Sequence, residues 1–131
     1  DGGPWRNLCA LPALWVGLLY DPDSQSAAWD LIKDWTIEEQ EILRNQVPLE
    51  GLSTSFRNTS VQEISKEILA IASTGLKKRA KLDPSGNDES GFLETLRDIA
   101  DRGQTPAEQL LDAFSGRWSE SVSPIFDELQ Y

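Results

Sequence analysis

The stretch Ser60-Val-Gln-Glu-Ile-Ser-Lys-Glu-Ile-Leu-Ala-Ile-Ala-Ser-Thr-Gly-Leu76 carries the clearest helical period in the chain. Val61, Ile64, Ile68, Ile71, Ala72 and Leu76 recur at three- and four-residue intervals, the spacing that lines one face of an α-helix. Ser60 followed three residues later by Glu63 is a capping box, in which the hydroxyl accepts from a free amide of the first turn and the acid returns the bond. A helix with one apolar face needs partners, so the neighbouring segments decide the fold.

Towards the N-terminus, Leu49 to Thr59 is rich in Gly, Ser, Thr and Asn around a lone Phe56, which predicts an irregular loop with Phe56 as a plug over the helices. Thr36 with Glu39 is a second capping box, opening a shorter helix anchored by Ile37, Leu43 and Val47 and stopped by Pro48. Asp21-Pro22-Asp23-Ser24 is a turn and a cap, after which Ala28, Leu31, Ile32 and Trp35 share a helical stripe. Before it, residues 4 to 20 predict a first helix, with Pro4 at its first position and Pro12 kinking it. Its residues from Trp5 to Tyr20 are apolar nearly all round, the signature of burial on more than one side.

Towards the C-terminus, residues 83–91 are turn chemistry throughout (Asp-Pro-Ser-Gly-Asn-Asp-Glu-Ser-Gly) and form the expected mobile loop. Phe92, Leu96 and Ile99 line a helix ending at Gly103. Thr105-Pro106-Ala107-Glu108 combines an N-cap, a first-turn proline and a capping-box acid, opening a helix with Ala107, Leu110, Leu111 and Phe114 on one side and Gly116 at its end. Ser123-Pro124 starts a last short helical turn towards Tyr131. No alternating stretch reads as a strand, so residues 1–131 predict a single all-α domain.

Composition narrows the chemistry. The chain has 131 residues and no histidine, which removes Ser-His and Cys-His nucleophile pairs and histidine metal sites. The single Cys9 has no internal disulfide partner and, within an apolar run, reads as a small buried hydrophobe. The absence of methionine marks the sequence as an expected fragment of something longer. Leu8 to Tyr20, the longest uncharged apolar run, has thirteen residues, short of the roughly 20 that span a bilayer.

Net charge is −10, with a basic block at Lys77, Lys78, Arg79 and Lys81 between two acidic ones. Cations at a helix end suit the negative end of its dipole, and a chain this acidic repels phosphate overall, so no nucleic-acid partner is expected. Glu38, Glu39 and Glu41 read as a solvated helix face, and Gly2-Gly3 matches no phosphate loop. The residues alone offer no catalytic or metal-binding set. On that basis the chain reads as a structural part, the rival to any enzymatic reading being a free-standing acidic interaction module.

The opening stretch Asp1-Gly-Gly-Pro-Trp-Arg-Asn-Leu-Cys-Ala-Leu-Pro-Ala-Leu-Trp-Val-Gly-Leu-Leu-Tyr-Asp21 closely resembles a segment of the glutamate–cysteine ligases of the plant and proteobacterial class. The resemblance continues in order through Asp34-Trp35-Thr36, Val47-Pro48, Gly51-Leu52, Phe56-Arg57, Gly75-Leu76, Gly91-Phe92-Leu93, Thr105-Pro106-Ala107-Glu108 and Pro124-Ile125-Phe126. Between Lys81 and Gly91 the plant members look shorter.

This resemblance implies the helical C-terminal region of a larger α+β enzyme whose glutamine-synthetase-like catalytic sheet lies upstream of Asp1. That enzyme uses ATP and Mg2+ to phosphorylate the γ-carboxylate of L-glutamate, and the amine of L-cysteine attacks the γ-glutamyl phosphate to give γ-glutamylcysteine, the first step of glutathione biosynthesis. ATP and magnesium would be bound mainly by the N-terminal catalytic part of the same protein, leaving this chain inactive alone. The Gly-Gly-Pro-Trp-Arg turn leaves the family's substrate strand, so Trp5 is the candidate to stack on bound amino acid and Arg6 the candidate to pair with a carboxylate. A cytoplasmic location, or the plastid for a plant member, is implied, with no membrane partner.

Overall fold

The computed structural model describes residues 5–128, with side chains described from Asn7 onward. The order along the chain is α1 (Trp5–Leu19), α2 (Pro22–Ile32), α3 (Ile37–Glu50), β1 (Ser55–Phe56), β2 (Thr59–Ser60), α4 (Val61–Arg79), α5 (Glu94–Arg102), α6 (Pro106–Ser115) and α7 (Pro124–Glu128). Short 3-10 turns at Gly51–Ser53 and Glu89–Leu93 join some of these. The expected all-α class is met apart from a ladder of two antiparallel residue pairs, Ser55 with Ser60 and Phe56 with Thr59.

α4 is the central helix. Ser60 Oγ accepts from the Glu63 amide at 3.3 Å, and the last turn carries Lys77, Lys78 and Arg79 against the negative end of the dipole. The chain leaves it through Ala80, held at a left-handed φ of 52°. One face of α4 buries Ile64, Leu69, Ala72, Ser73, Gly75 and Leu76.

α1 crosses that face at backbone contact. A Cβ on Gly17 would collide with the Ala72 carbonyl, and one on Gly75 with the Gly17 carbonyl, so both helices present glycine where they meet. Around this crossing Ala13, Leu18, Leu69, Ala72, Leu76, Leu93 and Ala100 form the core, with Leu14, Val16, Ala28, Ile68, Ile71 and Leu96 packed on it. α1 runs unbroken through Pro12, which stands on its exposed side. Pro4 lies outside the described residues.

Several sequence expectations shift. α2 starts three residues earlier than a Ser24 cap would place it: the Asp21 carboxylate accepts from the Ser24 amide and hydroxyl, both at 2.9 Å, with Pro22 in the first turn. It ends at Ile32, so Trp35 is not on its stripe but packs edge-on against Phe56 at 4.8 Å between ring centres.

α3 does not stop at Pro48. Proline removes only one bond, to a carbonyl one turn back, and the helix closes three residues later at Gly51, whose φ of 59° ends the helical path. The span from Leu49 to Thr59 is therefore helix end, 3-10 turn and hairpin rather than loop, with Thr54 and Phe56 buried inside it.

Beyond α4, the Asp83 carboxylate gathers the Ser85 amide at 2.8 Å and the Asn87 amide at 2.9 Å, and Leu82 bridges to Asp88. The following 3-10 turn carries Leu93 into the core and leaves Phe92 exposed, so the stripe of α5 is Leu93, Leu96 and Ala100 in place of Phe92, Leu96 and Ile99. Gly103 closes α5 at φ 68° as expected. α6 has the full Thr105–Glu108 capping box and ends at Gly116, but it buries Ala113, while Ala107 and Leu111 face solvent. Trp118 is buried after it, its Nε1 donating to Glu128 of α7 at 2.7 Å. Among the described residues no helix is long and apolar enough to cross a membrane.

Candidate functional site

Trp5 and Arg6, the two residues expected to meet substrate, open α1, but their side chains lie outside the described residues. The rest of α1 shows what this helix offers. From Asn7 to Tyr20 it carries no charge. Its inner face, with Ala10, Ala13, Gly17 and Leu18, is buried against α4 and its neighbours. Its outer stripe is bare: Leu8, Leu11, Trp15 and Leu19 are each about half exposed, at 48%, 54%, 55% and 56%. Spacings of three and four residues put these on one side of the helix.

The bare stripe opens into a groove of about 380 Å³ between α1 and the Glu89–Leu93 turn. Leu8, Pro12 and Val16 form one wall, Leu76 is among the buried residues beneath, and exposed Phe92 borders it. Cys9 reaches this groove and is half-buried rather than sealed in the core. At its edge Arg79 bonds Glu89 at 2.8 Å and lies over the Tyr20 ring at 4.8 Å.

The charged motifs resolve into structural pairs. Lys78 bridges Asp21 and Asp23, tying the α1–α2 turn to the end of α4, and both carboxylates help raise its pKa, Asp23 most strongly. The Asp21 carboxyl is held below its ordinary range chiefly by the Ser24 amide. Of the Glu38, Glu39 and Glu41 face, Glu39 is taken up by Arg57, which donates to it at 2.8 and 2.7 Å and also to the Asp34 carbonyl at 2.5 Å. That pairing, with the Thr36 amide, pulls the Glu39 carboxyl down to about 2.

A magnesium–nucleotide pair does not fit these residues. Among the described residues no three acidic or cysteine side chains converge as ligands. A hollow of about 960 Å³ is bordered by Asp83, Asp88, Glu89, Glu94 and Asp98 against one cation, Lys81, a balance of charge that disfavours a triphosphate. Asp83 and Asp88 already accept loop amides. The described surface is therefore equipped for packing: an uncharged apolar face joined to a groove, on a body whose ion pairs hold its own turns.

Comparison with known proteins assigns that body. The family model for glutamate-cysteine ligase family 2 (GCS2) matches residues 1–128. The chain belongs to this family. It is 50% identical over all 131 residues to the chloroplastic glutamate–cysteine ligase of Arabidopsis thaliana, of which it covers 24%. It is 48% identical over 131 residues to the enzyme of Medicago truncatula and to ligase A of Oryza sativa subsp. indica, covering 25% of each. The chain thus spans about a quarter of the length of the glutamate–cysteine ligases it matches. The expected resemblance holds from end to end.

Proposed function

We propose that this chain is the helical C-terminal part of an ATP-dependent glutamate–cysteine ligase, forming γ-glutamylcysteine through γ-glutamyl phosphate as the first step of glutathione biosynthesis. The observation that carries the reading is the match of the whole chain, at about half identity, to ligases some four times its length. Glutamate, cysteine, ATP and magnesium are then bound mainly by the remaining part of the same polypeptide. The chloroplastic relatives favour the plastid for a plant member.

Trp5 and Arg6 are the residues of this chain proposed to touch substrate, Trp5 by stacking on glutamate or cysteine and Arg6 by pairing with a carboxylate. The test is a hybrid in which these 131 residues replace the matching stretch of the Arabidopsis thaliana ligase. The hybrid should release ADP in a cysteine-dependent manner, and the free chain should not. A hybrid that melts cooperatively but turns nothing over, or a free chain that does, would overturn the reading. In an active hybrid, Trp5→Ala should raise KM for glutamate or cysteine and leave that for ATP nearly unchanged; wild-type constants for both amino acids would assign Trp5 to packing alone.

A further inference from the structure

We infer that the outer stripe of α1, Leu8, Leu11, Trp15 and Leu19, together with the groove beside Phe92, is the seat on which the remaining part of the same polypeptide docks. The inference rests on the ligase reading and names the surface that reading requires. The stripe is uncharged on a chain of net charge −10, so its occupant is apolar and is neither a nucleotide nor a charged peptide. The inner face of the same helix is already satisfied by α4 at glycine-to-glycine contact, so the outer residues are not needed by this chain's own core.

The occupant is settled by length and continuity. Relatives carry about three quarters of their length outside the matched stretch, enough chain to cover a helix face. Leu8 lies one helical turn beyond Trp5, so a body that meets the start of α1 reaches the start of the stripe. A second copy of the chain is a poorer occupant. Stable protein–protein interfaces take roughly 20–30 residues a side, and one stripe with its groove supplies far fewer. Seating by the rest of the chain needs no such area, because the connection is covalent and the second contact is intramolecular.

The experiment is oxidative footprinting of Trp15 in the hybrid ligase, with Trp29, which is 61% exposed on α2, as the internal reference. Trp15 should oxidise several-fold more slowly in the hybrid than in the free chain, to the same extent across a dilution series, while the ratio at Trp29 stays unchanged. A hybrid in which Trp15 reacts as fast as in the free chain overturns the inference, whatever its activity. Protection that fades on dilution assigns the face to a second copy and overturns it too. A hybrid that protects Trp15 at all dilutions but has no ligase activity keeps the docking surface and sinks only the ligase reading. As a second variant, Leu11→Glu with Leu19→Glu should leave the free chain's melting unchanged and lower that of the hybrid; equal melting in both would contradict docking.

Discussion

α4 and α3 are both long capped helices, yet they are held by opposite means. α4 buries six residues of one face and meets α1 backbone to backbone at Gly17 and Gly75. α3 buries none: Ile37, Ile42 and Leu49 are exposed, and what fixes it is the Thr36–Glu39 box, the Gly51 exit and the Arg57 clasp. The difference shows how one chain divides its labour. Packing decides where α1 and α4 lie, whereas hydrogen bonds and one ion pair decide where α3 begins and ends.

The comparison breaks first at the glycine crossing. Gly75→Ala pushes a methyl into the Gly17 carbonyl with no side chain able to yield, and overpacking of this kind costs about 1–3 kcal/mol, more where backbone must move. The urea midpoint should fall by the largest amount of any single methyl added to the chain. An unchanged midpoint would mean that the two helices do not meet there.

A smaller effect is expected at the α3 cap. Thr36→Ala should cost about 1 kcal/mol, read as a lower urea midpoint with an unchanged slope. Amide exchange in α3 should rise more than in α4. Equal exchange in both helices would show that α3 is packed after all.

The smallest effect sharpens the ionic side. Glu39 has its carboxyl at about 2 in the fold, against an ordinary 4.5. Because the folded value is the lower one, its stabilisation is fully present above pH 4.5 and is lost as pH falls from there towards 2. Arg57 occupies φ 53° at the β1–β2 turn, a position that favours glycine. Arg57→Gly thus relieves backbone strain while releasing Glu39. Near neutral pH the two changes should largely offset, and the acid limb of the melting temperature should flatten relative to the parent. A parallel acid limb would show that Glu39 has another partner.

The caps were legible in the sequence because each is a local chemical pattern: Thr36 with Glu39, Thr105 with Glu108, and the closing Gly103 and Gly116; at Ser60 only the hydroxyl half of the expected box forms, the Glu63 carboxylate accepting from Lys66 instead. The α4 stripe was legible as well, although it omitted Leu69, whose neighbour Ile68 fits the same period almost as well. Two stripes competed at the start of α5, Phe92–Leu96–Ile99 and Leu93–Leu96–Ala100. The 3-10 turn before it, invisible to period counting, selects the second. The meaning of Gly17 and Gly75 was hidden because a close approach exists only once two distant segments cross. Of the candidate site, the apolar excess of α1 was plain, but which side of it stays bare depends on where α4 takes its half. Trp5 and Arg6 came from resemblance, and their geometry stands outside the described residues.

The central claim is that α1 serves two bodies, one face for this chain and one for the part that completes the enzyme. Light scattering of the free 131-residue chain across a dilution series, with a hydrophobic dye as second reading, tests it most directly. The account predicts a monomer that binds the dye, with binding lost when Leu11, Trp15 and Leu19 are replaced by Lys or Glu. A monodisperse monomer that binds no dye at any concentration would contradict it.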